Sequence, residues 1–212
     1  MVFTFFELDK ITDDVFESWL EKTPKFRQDA VLRYRFREDR KRSLCAYLLL
    51  CVGLGRMVEN FIYNEHGKPS LTDDNFHINL SHGKAAVAAG FSETPIGVDV
   101  EFIRENYPKI VCKRVFTPSE IEQIENASEP TLMFFKFWTL KESYIKCLGD
   151  GFTFPLQTVE FTLNGKDIRC SDERFLFSTF SQNGHQISVC GTEQQNVKDL
   201  NFDEFSAKIK LL

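Results

Sequence analysis

The chain of 212 residues is 42% hydrophobic, contains 22 phenylalanines and carries a formal charge of −5. That apolar content builds a core and excludes wholesale disorder, and the acidic balance argues against a dedicated nucleic-acid binder. No apolar run of about 18 residues occurs, so no membrane span is expected, and the N-terminus lacks the basic region and long apolar segment of a signal peptide.

A first strand is predicted over residues 2–8. Asp13 or Asp14 then caps a short helix ending near Leu20, and Thr23-Pro24 opens another. The stretch from Lys25 to about Phe61 reads as two helices. Its first part is basic, with Arg27, Arg33, Arg35, Arg37, Arg40, Lys41 and Arg42, and its second part, Leu44 to Leu54, is apolar. A turn-rich segment from Tyr63 to Pro69 follows. Strands are predicted over 76–81, 85–91 and 96–102. In the last of these Ile96, Val98, Val100 and Phe102 share one face, and Asp99 and Glu101 share the other.

The second half begins with a helix over 109–115. Thr117-Pro118-Ser119-Glu120 then has the form of a capping box, with Pro118 at the first helical position and Glu120 two residues after it. A long helix is predicted over 131–148, stopped by Gly149. Strands over 159–163, 175–181 and 186–190 close the pattern, with Asn164-Gly165 and Asn183-Gly184 as hairpin turns. The class is α+β, with a boundary at 103–108 dividing halves 1–104 and 105–212. The six cysteines show no Cys-x-x-Cys pair, which excludes metal-finger spacing, and most of them read as small buried hydrophobes.

Asp99 and Glu101 taken alone read as a solvated strand face. On the long helix Trp138, Glu142 and Lys146 are spaced i, i+4, i+8, and the plain reading of Glu142 with Lys146 is a surface ion pair worth a few tenths of a kcal/mol. Together the three carboxylates suit a hard cation bound with substrate phosphates and water, provided the fold brings them together. Arg27, Arg37, Lys41 and Arg42 form either a solvated helix face or a phosphate-binding patch. Lys68 in a rigid turn and Ser81-His82 at a strand end offer further phosphate contacts.

Five segments in order resemble the 4'-phosphopantetheinyl transferases, in the Sfp-type, pseudo-dimeric branch. They are Gly67-Lys68-Pro69, Phe76 to His82, Ile96 to Glu101, Arg114 to Glu120 and Phe137 to Lys146. The resemblance implies two similar α+β halves in a pseudo-twofold arrangement, each a small, mostly antiparallel sheet against helices, with the site in the cleft between them. It implies transfer of the phosphopantetheine arm of coenzyme A to a serine of an apo acyl or peptidyl carrier protein, as in the holo-[acyl-carrier-protein] synthases that serve fatty-acid, polyketide and nonribosomal-peptide carriers. The released product would be adenosine 3',5'-bisphosphate.

By position, the resemblance makes Asp99, Glu101 and Glu142 the ligands of Mg2+ on the diphosphate. Lys146 becomes a catalytic phosphate contact that would stabilise the leaving group, and Glu120 the candidate base for the serine hydroxyl, directly or through water. Ser81 and His82 would touch the diphosphate, and Arg27, Lys41, Arg42, Lys68 and Pro69 would surround the 3'-phosphoadenosine. A cytoplasmic monomer without nucleic-acid or membrane partners is expected. The sequence departs from the family pattern at Gly83, where a serine or threonine often follows the Ser-His pair, and at Val100, which offers no ligand and leaves its place to water. Two other readings stay open: a magnesium-dependent phosphohydrolase of nucleotide diphosphates, and a non-catalytic relative that binds carrier proteins.

Overall fold

The computed structural model describes residues 1–72, 75–151 and 154–212. Strand β1 (Val2–Phe5) leads through a short turn to α1 (Asp13–Glu21). The cap of α1 is Thr12, whose side chain accepts from Val15 N, so Asp13 and Asp14 sit inside the first turn, where their charge suits the helix dipole. Next come α2 (Lys25–Leu32) and α3 (Arg37–Leu54), which stops at Gly55 in a left-handed conformation. The helical pattern therefore ends before Phe61, which instead begins a small hairpin, β2 (Phe61–Tyr63) with β3 (Pro69–Leu71). The expected turn-rich segment is the loop of this hairpin.

Strands β4 (His77–His82), β5 (Val87–Ser92) and β6 (Ile96–Phe102) follow as predicted. After them come α4 (Lys109–Val115), α5 (Pro118–Glu125) and α6 (Pro130–Leu148). The capping box at Thr117 and Glu120 forms in full, each side chain bonding the other's backbone N–H. The chain ends with β7 (Phe161–Asn164), β8 (Asp167–Cys170), β9 (Leu176–Gln182), β10 (His185–Gly191), β11 (Val197–Asp199) and α7 (Phe202–Ile209). Strands β7 and β8 form a separate hairpin. No described helix is long and apolar enough to cross a membrane.

Two sheets organise the molecule. One has the order β11-β1-β5-β4, antiparallel except for the parallel β1–β11 pair, and the other has the order β6-β10-β9, all antiparallel. Strand pairing crosses the boundary drawn near residue 104 twice: β6 pairs with β10, and β11 pairs with β1. Helix α7 also returns to the first core, where Phe205 stacks edge-on against Trp19. The physical reason is burial, because β1 would otherwise expose an edge and Phe205 and Ile209 would lack a core. Where the sheets meet, β4 caps β6 through side chains: Val98 N donates to Asn79 Oδ1 at 2.8 Å and Val100 N to Ser81 Oγ at 3.2 Å.

All six cysteines are free; five are buried and Cys170 is half-buried, so they act as core fillers. A small apolar cluster of Val2, Ala86, Ala88, Ile96, Val98, Val100, Ile187 and Val189 lies between the two larger cores and ties the sheets together.

Candidate active site

Strand β6 owes its unusual character to α6. Its polar face is covered by the helix, so Asp99 is 4% exposed, not solvated as its alternation suggested. The helix approaches this closely because residue 97 is glycine. A Cβ there would collide with Ser143 O and stand 2.5 Å from Cys147 N. Gly97 is a site-building residue that pattern reading missed; the only signal in the sequence is a glycine in a strand otherwise rich in β-branched residues.

This packing places Glu142 and Lys146 of α6 against Asp99 and Glu101. Lys146 Nζ donates to Asp99 Oδ1 at 2.6 Å and to Ser81 Oγ at 3.0 Å, and Ser81 Oγ donates to Asp99 Oδ1 at 3.0 Å. The i, i+4 pair expected between Glu142 and Lys146 gives way to this longer-range pair, because β6 offers a buried carboxylate. Trp138 bonds Glu101, which explains why an indole lies one turn before Glu142. Burial, and then the Asp99 charge, raise the Glu101 carboxyl, with Lys146 opposing. The same causes, in the same order, push Glu142 up to about 7, again against Lys146.

Asp99 Oδ2 and Glu142 Oε1 are buried with no hydrogen-bond partner. A buried carboxylate oxygen left unpaired costs more than almost any other polar group. Two of them, beside a third carboxylate, are the donor set of a hard cation that takes oxygen ligands. Among the described residues no group of three His, Cys, Asp or Glu side chains is placed to hold a metal ion by itself. On donor chemistry, the two unpartnered carboxylate oxygens fit magnesium completed by other oxygen ligands.

Two pockets flank the cluster. The first, about 280 Å3, is lined by Gly67, Lys68, Pro69, Glu142, Lys146 and Gly149 among others. Lys68 Nζ donates to Cys147 O at 2.8 Å, so its ammonium caps the C-terminus of α6 while its stem lines the pocket. The second, about 470 Å3, is lined by Asp39, Arg42, His82, Gly83, Lys84, Glu101, Phe102 and Arg104. Arg42 donates to Lys84 O at 2.8 Å and pairs with Asp39. Desolvation, and then the Lys146 and Arg42 charges, hold His82 below the usual histidine range.

The structure thus gathers Asp99, Glu101, Glu142, Lys146, Ser81, His82, Arg42, Lys68 and Pro69 around one cleft. Three expected residues are not gathered there. Arg27 turns inward, bonding Ser43 and lying over the Tyr47 ring. Lys41 faces Glu38 at 3.6 Å.

Glu120 is fully buried. Its Oε1 accepts from Phe161 N at 2.7 Å, and its Oε2 accepts from Thr117 N and from Lys141 Nζ, both at 2.8 Å. Lys141 spends its remaining donors on Leu156 O and Val159 O. The residue expected as the base is therefore a structural anchor, joining α5, α6 and β7. Replacing Glu120 by glutamine leaves Lys141 buried and unpaired, and should cost about 3–5 kcal/mol in stability by denaturant unfolding. A loss below about 1 kcal/mol would mean that the pair is not closed in solution.

Comparison with known proteins matches residues 95–195 to the model of the 4'-phosphopantetheinyl transferase superfamily. The 4'-phosphopantetheinyl transferase gsp of Aneurinibacillus migulanus is 32% identical over 200 residues, covering 86% of this chain and 81% of the relative. The 4'-phosphopantetheinyl transferase Sfp of Bacillus subtilis is 29% identical over 183 residues, covering 79% of this chain and 81% of the relative. The human L-aminoadipate-semialdehyde dehydrogenase-phosphopantetheinyl transferase is 38% identical over 114 residues, 46% of this chain and 37% of the relative.

Proposed function

Because the chain belongs to the 4'-phosphopantetheinyl transferases, in their Sfp-type branch, we propose that it moves the phosphopantetheine arm of coenzyme A to a serine of an apo acyl or peptidyl carrier protein. The observation that carries this reading is the pair of buried, unpartnered oxygens on Asp99 and Glu142 between two pockets, one lined by Lys68 and Lys146 and the other by Arg42, Lys84 and Arg104. The serine hydroxyl gives up its proton to solvent water, and its oxygen forms a new bond to the phosphorus bearing the pantetheine arm. The bond from that phosphorus to the bridging oxygen breaks, and adenosine 3',5'-bisphosphate leaves.

Phosphoryl transfer of this kind depends on positioning and charge stabilisation. Asp99, Glu101 and Glu142 would hold magnesium, which when bound supplies Lewis-acid neutralisation of the diphosphate oxygens. Lys146, already in contact with Asp99 and Ser81, places its ammonium where negative charge grows on the leaving group. Arg42, His82 and Lys84 give the second pocket an anion-binding wall. Lys68 and Pro69 shape the first pocket for the adenine end. Glu120 acts by holding Lys141, and so the rotation of α6, one residue before Glu142.

Incubation with coenzyme A, magnesium and an apo carrier protein should raise the carrier mass by one phosphopantetheine arm. Cleavage of coenzyme A without modification of several carriers would replace this reading with the phosphohydrolase one. Binding of carrier without either reaction would replace it with the non-catalytic one.

A further inference from the structure

The turn joining β4 to β5, residues 83–86, forms a wall of the second pocket and is held from two sides. It closes on itself through Gly83 N to Ala86 O at 2.8 Å. On one side Lys84 O accepts the Arg42 guanidinium at 2.8 Å. On the other, Ala85 N–H meets His185 Nε2 at 3.3 Å. His185 starts β10 and is 2% exposed. Its ring lies between Phe6 and Phe102, at centroid distances of 5.8 and 5.3 Å. Lys84 Nζ lies over that same Phe102 ring at 4.8 Å.

The hydrogen bonds fix the tautomer. A backbone N–H can only donate, so Nε2 must be a bare acceptor. The ring proton then sits on Nδ1, which stands 2.8 Å from Asn183 O and donates to it. Burial lowers the His185 pKa, in the same sense as this neutral form. The ring and the Val100 carbonyl together crowd residue 83. A Cβ at residue 83 would stand 3.1 Å from Val100 O and 3.2 Å from His185 Cδ2. A side chain at residue 83 would press on both the Val100 carbonyl and the imidazole.

We propose that His185 is a positioning residue for the second pocket: its Nε2 holds the 83–86 turn, and through Lys84 O that turn aims the Arg42 guanidinium. His185 itself does not line the pocket. The inference rests on the reading of that pocket as the phosphate-binding end of a coenzyme A site.

Two measurements test it. In the unaltered protein, nitrogen-15 NMR of the histidine rings near neutral pH should show His185 protonated on Nδ1 alone. Protonation on Nε2 overturns the proposal, and this arm decides even where a variant does not fold. In the second, coenzyme A affinity by calorimetry is set against kcat. His185→Phe keeps the ring and loses both nitrogens, so affinity should weaken about tenfold, the value of one lost hydrogen bond, with kcat within about twofold. His185→Gln retains an acceptor for Ala85 N–H and should recover most of the affinity. Unchanged affinity in His185→Phe, or no recovery in His185→Gln, overturns the positioning role. An unaltered protein that binds coenzyme A but transfers nothing overturns only the transferase reading; one that does not bind coenzyme A overturns both.

Discussion

Replacing Gly97 by alanine is expected to abolish transferase activity and to destabilise the chain by more than the about 1–3 kcal/mol of an ordinary overpacked core position. The reason is what the added methyl group meets. Ser143 O, Cys147 N and Cys147 Cα are all backbone atoms of α6, the last two at 2.5 and 3.0 Å. A side chain in the way can rotate, but a helix backbone cannot, and the close-packed interior offers no void to absorb the shift. Helix α6 must withdraw from β6 as a unit. It carries Glu142 and Lys146 with it, so the 2.6 Å contact between Lys146 and Asp99 is lost together with the juxtaposition of the buried carboxylates. A misplacement of about 1 Å at reacting groups costs on the order of 100-fold in rate. The test is a thermal melt beside a carrier-modification assay. A Gly97→Ala protein with unaltered melting and transfer would mean that α6 does not pack on β6 as described.

That prediction also marks where sequence reading stops. Features with a local cause were legible: the Thr117–Glu120 box, the α6 stop at Gly149 and the alternation in β6 all depend on residues a few positions apart. Alternation showed that Asp99 and Glu101 share a face, but it could not show that the face is covered, because the cover comes from residues 130–148. The likeness of five ordered motifs supplied that connection, and the structure brings Asp99, Glu101, Glu142 and Lys146 together. It does not agree for Arg27, whose guanidinium finds Ser43 and Tyr47 before it finds the cleft. Glu120 shows the same limit from the other side. Its capping role was readable in the local pattern, but Lys141 as its buried partner was not. Strand β11 and helix α7 were missed because β11 is three residues long and α7 is held by Trp19 and Phe5, nearly 200 residues away.

Glu142→Gln should separate function from stability. Transfer should fall by about 10²–10³-fold or more, the scale on which single preorganised charge-stabilising groups act. Stability should move the other way above neutral pH. The Glu142 carboxyl is pushed up to about 7 in the fold, against an unfolded value near 4.3. Below the unfolded value both states are protonated, and the site adds no electrostatic cost. As pH rises between the two values the unfolded chain ionises first, so the folded state loses stability. Above about 7 the full cost of burying this charge, and then of its repulsion with Asp99 and Glu101, is present. Glutamine removes that charge, so the variant should melt higher than the unaltered protein on the alkaline side and equally in acid. Magnesium with coenzyme A should stabilise the unaltered protein, because ligands that bind only the folded state do so by mass action, and should do so far less in the variant. Retained transfer in Glu142→Gln would place this carboxylate outside the reaction. A variant that melts lower at alkaline pH would mean that the carboxylates do not crowd one another. The expected pairing of lost activity with gained stability is what a site gives when it holds like charges together for a cation.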